Sequence, residues 1–571
     1  MTTTGKTNGN GTRTWEAPGP GGWRKDDSHM PDPIARYTMD MFIPGFKSGL
    51  QTAFREYGFL LSHFDTAVVA GRGYMRARPI GAPEKPSAPP PRFVFKLLFL
   101  LHPEMRLRKK NAARALAEKL WRKDADRWFA ELREPMRQRL IRLQAVDPHA
   151  LGEPGLREHV AALRALWAEG IHVHFRQSSA YAVAVGDWLR HTMLWTGASA
   201  AECLKVLVTS SPASAVTVGL LDRLAQSVAA VPAAQAALVD LRGDPTGRLA
   251  RLREASTEVT AAYDAFMGEH GWRLVTGFDL VDLTLHEMPQ LVLSSILARQ
   301  GALTAPPAAA EGRAAALRDR VGAPKRAEYD ALLEEAKYVH GLRDDDVGIT
   351  FCWPEGLMRR GLLAAGASLA KKGRVRSPEH LLDASPDEVD ALLGGATTPS
   401  ADTLAARNAE RIENGKVEPP LELGERELPP PDDYFPPECL RLMRAVMTYI
   451  ANFDLDAAER PAATAATLGG HGVSSGRYEG TARVVRGPQD FGKIEKGDIL
   501  VAKVTSPAYN VVLPLLGAVV TDKGGSLCHT AIVAREFGIP GVVGTGDATS
   551  RIADGARIVV DGDTGIVEIR A

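Results

Sequence analysis

The residue whose surroundings most clearly predict chemistry is His529, in the stretch TDKGGSLCHTAIVAREFGIPGVVGTG (residues 521–546). It follows Gly524 and Gly525, and an apolar run with helical spacing begins directly after it. The N-terminus of a helix presents backbone N–H groups and the positive end of the dipole, which together attract an anion. A neutral imidazole nitrogen is also a good nucleophile toward a phosphoryl group. We therefore predict that His529 attacks phosphorus, while the two glycines and Thr530 cradle the phosphate oxygens.

Two other roles for this histidine stay open from the residues alone. A single histidine at a helix start is most often a surface residue or a hydrogen-bonded polar group. A metal site needs partner ligands, and only Cys528 stands nearby. Because Cys528 is expected to be a small filler side chain, no metal site is predicted.

The composition indicates an ordinary globular protein of several domains. The chain has 571 residues, with 69 Lys and Arg against 69 Asp and Glu, so its formal net charge is zero. That balance argues against nucleic acid or a membrane as the main partner. The four cysteines lie far apart, and the N-terminus has no apolar signal-peptide core, which favours the cytoplasm. The run FVFKLLFLL (93–101) is too short to span a bilayer and predicts a buried helix or a docking surface.

The pattern of apolar, Gly and Pro residues along the chain predicts a helical domain followed by a C-terminal β-rich α/β domain. Residues 1–30 are polar and Gly-rich and are predicted to be a disordered leader. Residues 31–454 are mainly helical in pattern, with apolar side chains at three- and four-residue spacing. An Ala/Thr/Gly linker is predicted over 455–470, and short Val/Ile-rich strands bounded by Gly, Asp or Pro fill 471–571.

The stretch GGSLCHTAIVAREFGIPGVVGTGDAT resembles the phosphohistidine signature of the mobile, or swivel, domain of PEP-utilising enzymes. This family includes PEP synthase, pyruvate phosphate dikinase and rifampin phosphotransferase. The segments SSGRYEGTARVV, KGDILVAKVTSP and DGARIVVDGDTGIVEI are similar to the family as well. The resemblance implies that His529 becomes phosphorylated and shuttles the phosphoryl group between two sites.

The helical region carries a second resemblance. FMGEHGWRLVTGFDL (266–280) is similar to a segment of the substrate-binding domain of rifampin phosphotransferase-like proteins, with Trp272 where that family usually has a second histidine. Phosphoryl transfer to a hydroxyl requires a base near the acceptor and a cation near the phosphoryl group. We therefore predict that His270, Arg273 and Asp279 bind the acceptor.

Together these features predict a dikinase-type phosphotransferase that relays a phosphoryl group through His529 to a small organic acceptor with a hydroxyl. No ATP-grasp segment or PEP-binding barrel is visible, so ATP and Mg²⁺ are expected to be used by a separate ATP-grasp partner. That arrangement resembles the larger subunit of phenylphosphate synthase. The alternative is a non-catalytic phosphocarrier or regulatory docking protein, which would have a solid apolar core in place of a polar acceptor pocket.

Overall fold

The computed structural model describes most of the chain. The described residues are 2–3, 6–7, 13–26, 30, 32–85, 87–207, 212–239, 244–300, 308–452, 461, 463–464, 466–486, 490, 493–505, 509 and 512–570.

Helices dominate the region before residue 452, as the three- and four-residue spacing predicts. The α-helices are α1 Arg36–Tyr57, α2 Arg92–Leu101, α3 Pro103–Ala117, α4 Leu120–Arg127, α5 Arg133–Gln144, α6 Glu153–Thr196, α7 Ala200–Leu204, α8 Pro212–Ala230, α9 Pro232–Val239, α10 Pro245–Glu254, α11 Thr257–His270, α12 Pro289–Gln300, α13 Ala308–Arg320, α14 Arg326–Val347, α15 Trp353–Lys371, α16 Pro386–Leu393, α17 Ala401–Asn414, α18 Pro437–Ala451, α19 His529–Phe537 and α20 Ala548–Arg551. Shorter 3₁₀ and π segments connect some of them: Trp128–Leu132, Pro148–Ala150, Lys205–Leu207, Leu285–Glu287, Ala323–Lys325, Gly348–Cys352, Pro378–Asp383, Asp432–Tyr434 and Leu513–Leu515.

The strands form separate sheets near the two ends of the chain. They are β1 Thr2–Thr3, β2 Lys6–Thr7, β3 Arg13–Thr14, β4 Trp23–Lys25, β5 Leu61–Val69, β6 Arg72–Pro79, β7 Glu422–Leu423, β8 Thr467–Gly469, β9 His471–Ser474, β10 Arg477–Val485, β11 Ile499–Ala502, β12 Ala518–Thr521, β13 Gly541–Val543, β14 Arg557–Asp561 and β15 Ile566–Ile569. The larger sheet has the order β8-β15-β14-β10-β11-β12-β13-β9, with parallel pairing from β10 to β13. The predicted class, a helical region followed by a β-rich α/β domain, is confirmed.

The chain divides into two compact units, and the division differs from the predicted domain boundaries. Unit 1 contains 1–183, 278–281 and 349–446, while unit 2 contains 184–277, 282–348 and 447–571. The predicted helical domain, 31–454, is therefore shared between the units.

The physical reason lies in the C-terminal sheet, which buries both of its faces. Side chains alternate along a strand, so neighbouring residues of β11 face opposite ways. Ile499 and Val501 join a core made by the sheet itself. Leu500 and Ala502 join a second core, shared with helical residues of unit 2 such as Leu224 and Phe266. The helices from α8 to α12 therefore complete the core of the C-terminal sheet.

The predicted leader and linker also differ from the structure. In the leader, 1–30, β4 pairs with both β6 and β7, and Trp23 is buried. Trp23 gives this Gly-rich segment enough apolar surface to hold it in a sheet. In the linker, 455–470, β8 pairs with β15. Residues 453–460, 462 and 465 lie outside the described part of the chain, so the rest of the linker prediction is untested.

Candidate functional site

The site is built where β12 ends and α19 begins. Asp522 follows the strand, and its carboxylate accepts hydrogen bonds from the backbone N–H and the hydroxyl of Thr549. Gly524 has φ +112°, a conformation that suits glycine, and a Cβ placed there would lie 2.7 Å from Cys528 Sγ. The backbone N–H of Cys528 donates to Gly525 O at 3.1 Å, which closes the turn directly before the helix. The glycine pair therefore sets the direction in which α19 leaves the sheet.

His529 is the first residue of α19, as predicted, and it is buried. Its Nδ1 lies 2.9 Å from Thr505 Oγ1, which in turn lies 2.7 Å from Thr530 Oγ1. A chain in which Nδ1–H donates to Thr505, and Thr505 donates to Thr530, leaves the lone pair of the imidazole on Nε2. In that arrangement the nucleophilic nitrogen of His529 is Nε2.

Electrostatics keep this imidazole neutral. Burial, and secondarily the nearby Arg343 guanidinium, lower the pKa of His529 to about 3. A group with that pKa carries no proton on the attacking nitrogen at neutral pH. The imidazole is therefore in the form that can attack phosphorus.

Two arginines organise the loop that precedes His529. Arg343, on α14, donates from Nη1 to Leu527 O at 2.8 Å. Arg535, on α19 itself, donates from Nη2 to Ser526 O at 2.9 Å, and burial lowers its pKa to about 10. Both guanidinium groups are therefore cations at neutral pH, and Arg343 lies close enough to His529 to lower the pKa of the imidazole. The site combines a neutral nucleophile with neighbouring positive charge. Phosphoryl transfer requires such charge to stabilise the negative phosphoryl oxygens.

Cys528 has a packing role beside this site. Its side chain joins a small buried cluster with Val473, Ala531 and Val543. Burial raises the pKa of its thiol, so the reactive thiolate is disfavoured. These contacts fit the expected filler residue.

The three predicted acceptor-binding residues do not share one unit. His270 and Arg273 belong to unit 2, whereas Asp279 belongs to unit 1. The Asp279 carboxylate accepts from Ala35 N at 2.9 Å and from Thr38 Oγ1 at 2.5 Å, so it holds the start of α1. Burial raises the pKa of Asp279. Its observed contacts are therefore those of a helix-anchoring carboxylate.

His270 is the last residue of α11 and is buried. Burial, followed by the nearby Arg273 cation, holds the pKa of His270 well below its usual value. Within the described part of the chain, its Nε2 has no hydrogen-bond partner. The Arg273 guanidinium packs against Gly348, where an added Cβ would lie 2.9 Å from Nη1. These two residues stay candidates for acceptor binding.

Sequence reasoning missed Thr505 and Arg343. Thr505 lies in KGDILVAKVTSP, a segment that resembles the mobile-domain family. That resemblance could have identified Thr505 as a site residue, but it assigns no role to the hydroxyl. Arg343 stands among many charged residues of α14, and no local pattern separates it from a solvated helix face. Only the packing of α14 within unit 2 brings its charge to His529.

A search of the described residues finds no group of three or more His, Cys, Asp or Glu side chains that could hold a metal ion. None of the helices in the described ranges is long and apolar enough to cross a membrane. The expectation that this chain binds no metal stays a prediction.

Comparison with known proteins finds two family matches. Residues 494–565 match the PEP-utilising enzyme mobile domain, and residues 174–344 match the rifampicin phosphotransferase fourth domain. The first match contains His529, Thr505 and both glycines, while the second contains His270, Arg273 and Arg343. The resemblances seen in the sequence are confirmed.

Individual relatives match parts of the chain. Phosphoenolpyruvate synthase of Aeropyrum pernix is 49% identical over 96 residues, covering 17% of this chain and 11% of the relative. The uncharacterized phosphotransferase YvkC of Bacillus subtilis is 28% identical over 312 residues, covering 53% of this chain and 36% of the relative. The uncharacterized protein MT2107 of Mycobacterium tuberculosis is 32% identical over 252 residues, covering 43% and 25% respectively. The matched part of the chain thus spans about a third or less of the length of these relatives.

Proposed function

Since residues 494–565 are a PEP-utilising enzyme mobile domain and residues 174–344 a rifampicin phosphotransferase fourth domain, we propose that this chain is a phosphotransferase working through a phosphohistidine at His529. The acceptor is a small organic molecule with a hydroxyl group. The phosphoryl group comes from ATP, through an ATP-grasp partner that also holds Mg²⁺.

The observation that carries the proposal is the state of the His529 imidazole. The histidine is neutral because its pKa is lowered to about 3, and its Nδ1 lies 2.9 Å from Thr505 Oγ1. It begins α19, whose first turn supplies N–H groups and a positive dipole for a phosphate. Burial and Arg343 also lower the pKa of His340 to about 3, so it is the place of His529 at the start of a helix that marks it as the nucleophile.

The transfer takes place in two displacement steps. In the first, the Nε2 lone pair of His529 attacks phosphorus, a P–N bond forms, and the bond from phosphorus to the leaving oxygen of the donor breaks with its electron pair on that oxygen. In the second, the acceptor hydroxyl oxygen attacks phosphorus, the P–N bond breaks, and its electron pair returns to Nε2. The hydroxyl proton passes to a base beside the acceptor.

Each nearby side chain has a definite task in these steps. Thr505 and Thr530 keep the proton on Nδ1, so that Nε2 is the reacting atom in both directions. Arg343 offsets the negative charge of the phosphoryl group. His270 and Arg273 are the proposed base and cation for the acceptor, because His270 is neutral and Arg273 is the cation that lowers its pKa.

The alternative, a non-catalytic phosphocarrier or regulatory docking protein, shares the first step and lacks the second. Turnover separates the two functions. A carrier accepts one phosphoryl group per chain and stops, whereas an enzyme consumes the donor continuously once the acceptor is present.

The test is mass spectrometry of acid-labile phosphate on the intact chain, kept at alkaline pH. The donors are ATP with an ATP-grasp protein of the PEP synthase type and, separately, phosphoramidate, a small phosphoryl donor that needs no partner. One phosphate per chain is expected, and His529→Ala should remove it, whereas His270→Ala should retain it. Equal phosphate on His529→Ala and the wild type would disprove the proposal.

A further inference from the structure

Helix α2 presents a row of large apolar side chains to solvent. Phe93, Leu97, Leu100 and Leu101 are 70%, 49%, 66% and 63% exposed. They are spaced i, i+4, i+7 and i+8, so all four lie on one face of the helix. Single exposed leucines are common on protein surfaces, but a contiguous apolar face marks a binding surface. We call these four residues the α2 face.

The helix is fixed to unit 1 by its opposite side. Phe95 is buried, and its ring lies against those of Tyr434 and Phe435, with centroids 5.3 and 5.9 Å apart. This aromatic contact anchors α2 without using the α2 face. The exposed row is therefore presented by a packed helix and is not the product of a frayed segment.

Positive charge is concentrated around the α2 face. Residues 92–117, which include α2 and α3, contain seven Lys and Arg residues and one Glu, whereas the whole chain has a net charge of zero. Six of these cations are exposed: Arg92, Lys96, Arg106, Lys109, Lys110 and Arg114. Arg92 also lies 3.2 Å from Asp433, and the one acidic residue, Glu104, is paired with Arg108. The α2 and α3 segment is thus strongly basic, although the segment packed against Phe95 also carries Asp432 and Asp433.

We propose that the α2 face binds the surface of a bilayer that contains anionic lipids. An apolar face of Phe and Leu next to Lys and Arg is the pattern of a helix that lies in the headgroup region. The phosphates of anionic lipids attract the cations, and the apolar side chains enter the boundary of the acyl chains. At ten residues α2 is too short to cross a bilayer, so it lies on the surface.

Lipid suits this surface better than a second copy of the chain. Two copies of the α2 face would bring like charges together, because α2 carries the exposed Lys96 directly beside Leu97. The whole chain has a net charge of zero, which argues against a membrane partner. That total, however, conceals the local excess of positive charge in α2 and α3. The expectation of no membrane partner is therefore revised for this surface.

The test is co-sedimentation of the full chain with vesicles. Vesicles of phosphatidylcholine alone are compared with vesicles that also contain phosphatidylglycerol, at low and at high salt. We expect binding to the anionic vesicles that weakens as salt rises, and little binding to the neutral vesicles. Equal binding to both vesicle types would overturn the proposal, as would no binding to either.

Two pairs of variants assign the binding to this surface. Leu97→Gln with Leu101→Gln should weaken binding by at least about tenfold, because two apolar side chains no longer enter the bilayer. The control is Leu194→Gln, an exposed leucine of unit 2. Lys109→Gln with Lys110→Gln should weaken binding by roughly tenfold, with Lys371→Gln and Lys372→Gln as the matched control.

The variants should fold normally, since the replaced side chains are exposed and Gln is a good helix former. An unchanged unfolding midpoint establishes this. If the leucine variants bind vesicles as well as the wild type does, the proposal is wrong. A concentration-dependent dimer that Leu97→Gln with Leu101→Gln abolishes, without vesicle binding, would identify a second copy as the occupant and equally overturn it.

Discussion

His529 and His270 are both buried histidines beside an arginine, yet they lie at opposite ends of their helices. In both, burial is the first cause of a lowered pKa and the neighbouring guanidinium is the second. His529 begins α19, whereas His270 ends α11. A helix N-terminus favours an anion and a C-terminus favours a cation, so α19 favours a covalent phosphate and α11 does not.

The hydrogen bonds of the two imidazoles also differ. Nδ1 of His529 is within hydrogen-bond distance of Thr505 Oγ1, whereas Nε2 of His270 has no partner among the described residues. A neutral histidine beside an arginine is therefore not enough to predict a nucleophile. We expect helix polarity and the hydrogen bond to Nδ1 to distinguish His529, the phosphate carrier, from His270, the proposed general base.

The largest expected effect separates the two histidines directly. His529→Ala should abolish phosphate incorporation from phosphoramidate, because the attacking nitrogen is gone. His270→Ala should load phosphate at the wild-type rate, yet lose at least about tenfold in transfer to an acceptor, because the base is missing. Rapid-quench measurement of both steps checks this. Normal loading of His529→Ala, or impaired loading of His270→Ala, would break the comparison.

The next effect concerns the two arginines. Arg343→Gln should slow loading by about a hundredfold, which is typical for removal of one charge-stabilising group from a transfer site. Arg343→Lys should recover part of the rate, since it keeps the charge without the planar fork of Arg. Arg273→Gln, beside the other histidine, is the matched control and should load normally. Equal loading rates for Arg343→Gln and Arg273→Gln would remove Arg343 from the mechanism.

A third prediction concerns pH and stability. The folded pKa of His529, about 3, lies below the unfolded value of about 6.5, so the unfolded state binds more protons between these values. Stability is therefore fully present above pH 6.5 and is lost as pH falls toward 3. Between pH 7 and pH 5 the loss from His529 is about 2 kcal/mol.

Urea unfolding at these two pH values, followed by a probe in unit 2, measures that loss. His529→Gln cannot take up the proton, so its unfolding free energy should fall by about 2 kcal/mol less than that of the wild type over the same interval. His340, whose pKa burial also lowers to about 3, contributes equally in both proteins and cancels. Identical pH dependence in the two proteins would show that His529 titrates normally.

The sequence predicted the site where local pattern and local structure coincide. His529, the glycine turn and the helix lie within one short stretch, so their arrangement follows from adjacency in the chain. The acceptor cluster rested on a single segment too, but the chain passes from one unit to the other between Gly277 and Phe278. Adjacency in the chain therefore does not establish that cluster, because Asp279 bonds to the start of α1, and the acceptor site stays a prediction.

The two compact units differ from the predicted domains for a related reason. The residue pattern does change from helical to β-rich near residue 455. Such a pattern indicates secondary structure, but it does not indicate which surfaces pack together. The apolar side chains of β11 and β12 predict burial on both faces of the sheet. They do not indicate which helices pack against the second face. Long-range packing of this kind brought Arg343 to the site and left no local trace.

The smallest effect tests the tautomer, which is the finer of the two differences between the histidines. Thr505→Val keeps the shape of the side chain but removes the oxygen that accepts from Nδ1–H of His529. The proton is then free to move to Nε2, so that only part of the protein holds the nucleophilic tautomer. We expect loading to slow by about tenfold, which is less than the loss of Arg343, because the nucleophile and its charge partner both stay in place.

Two variants control for the loss of a buried hydroxyl. Thr505→Ser retains the oxygen and should load at nearly the wild-type rate. Thr549→Val removes a hydroxyl of α20 that bonds to Asp522 instead, so it should cost stability without slowing loading. If Thr505→Val and Thr549→Val load equally fast, the hydroxyl pair does not set the tautomer. The difference between His529 and His270 would then rest on helix polarity alone, since the position of each residue in its helix is unchanged by either substitution.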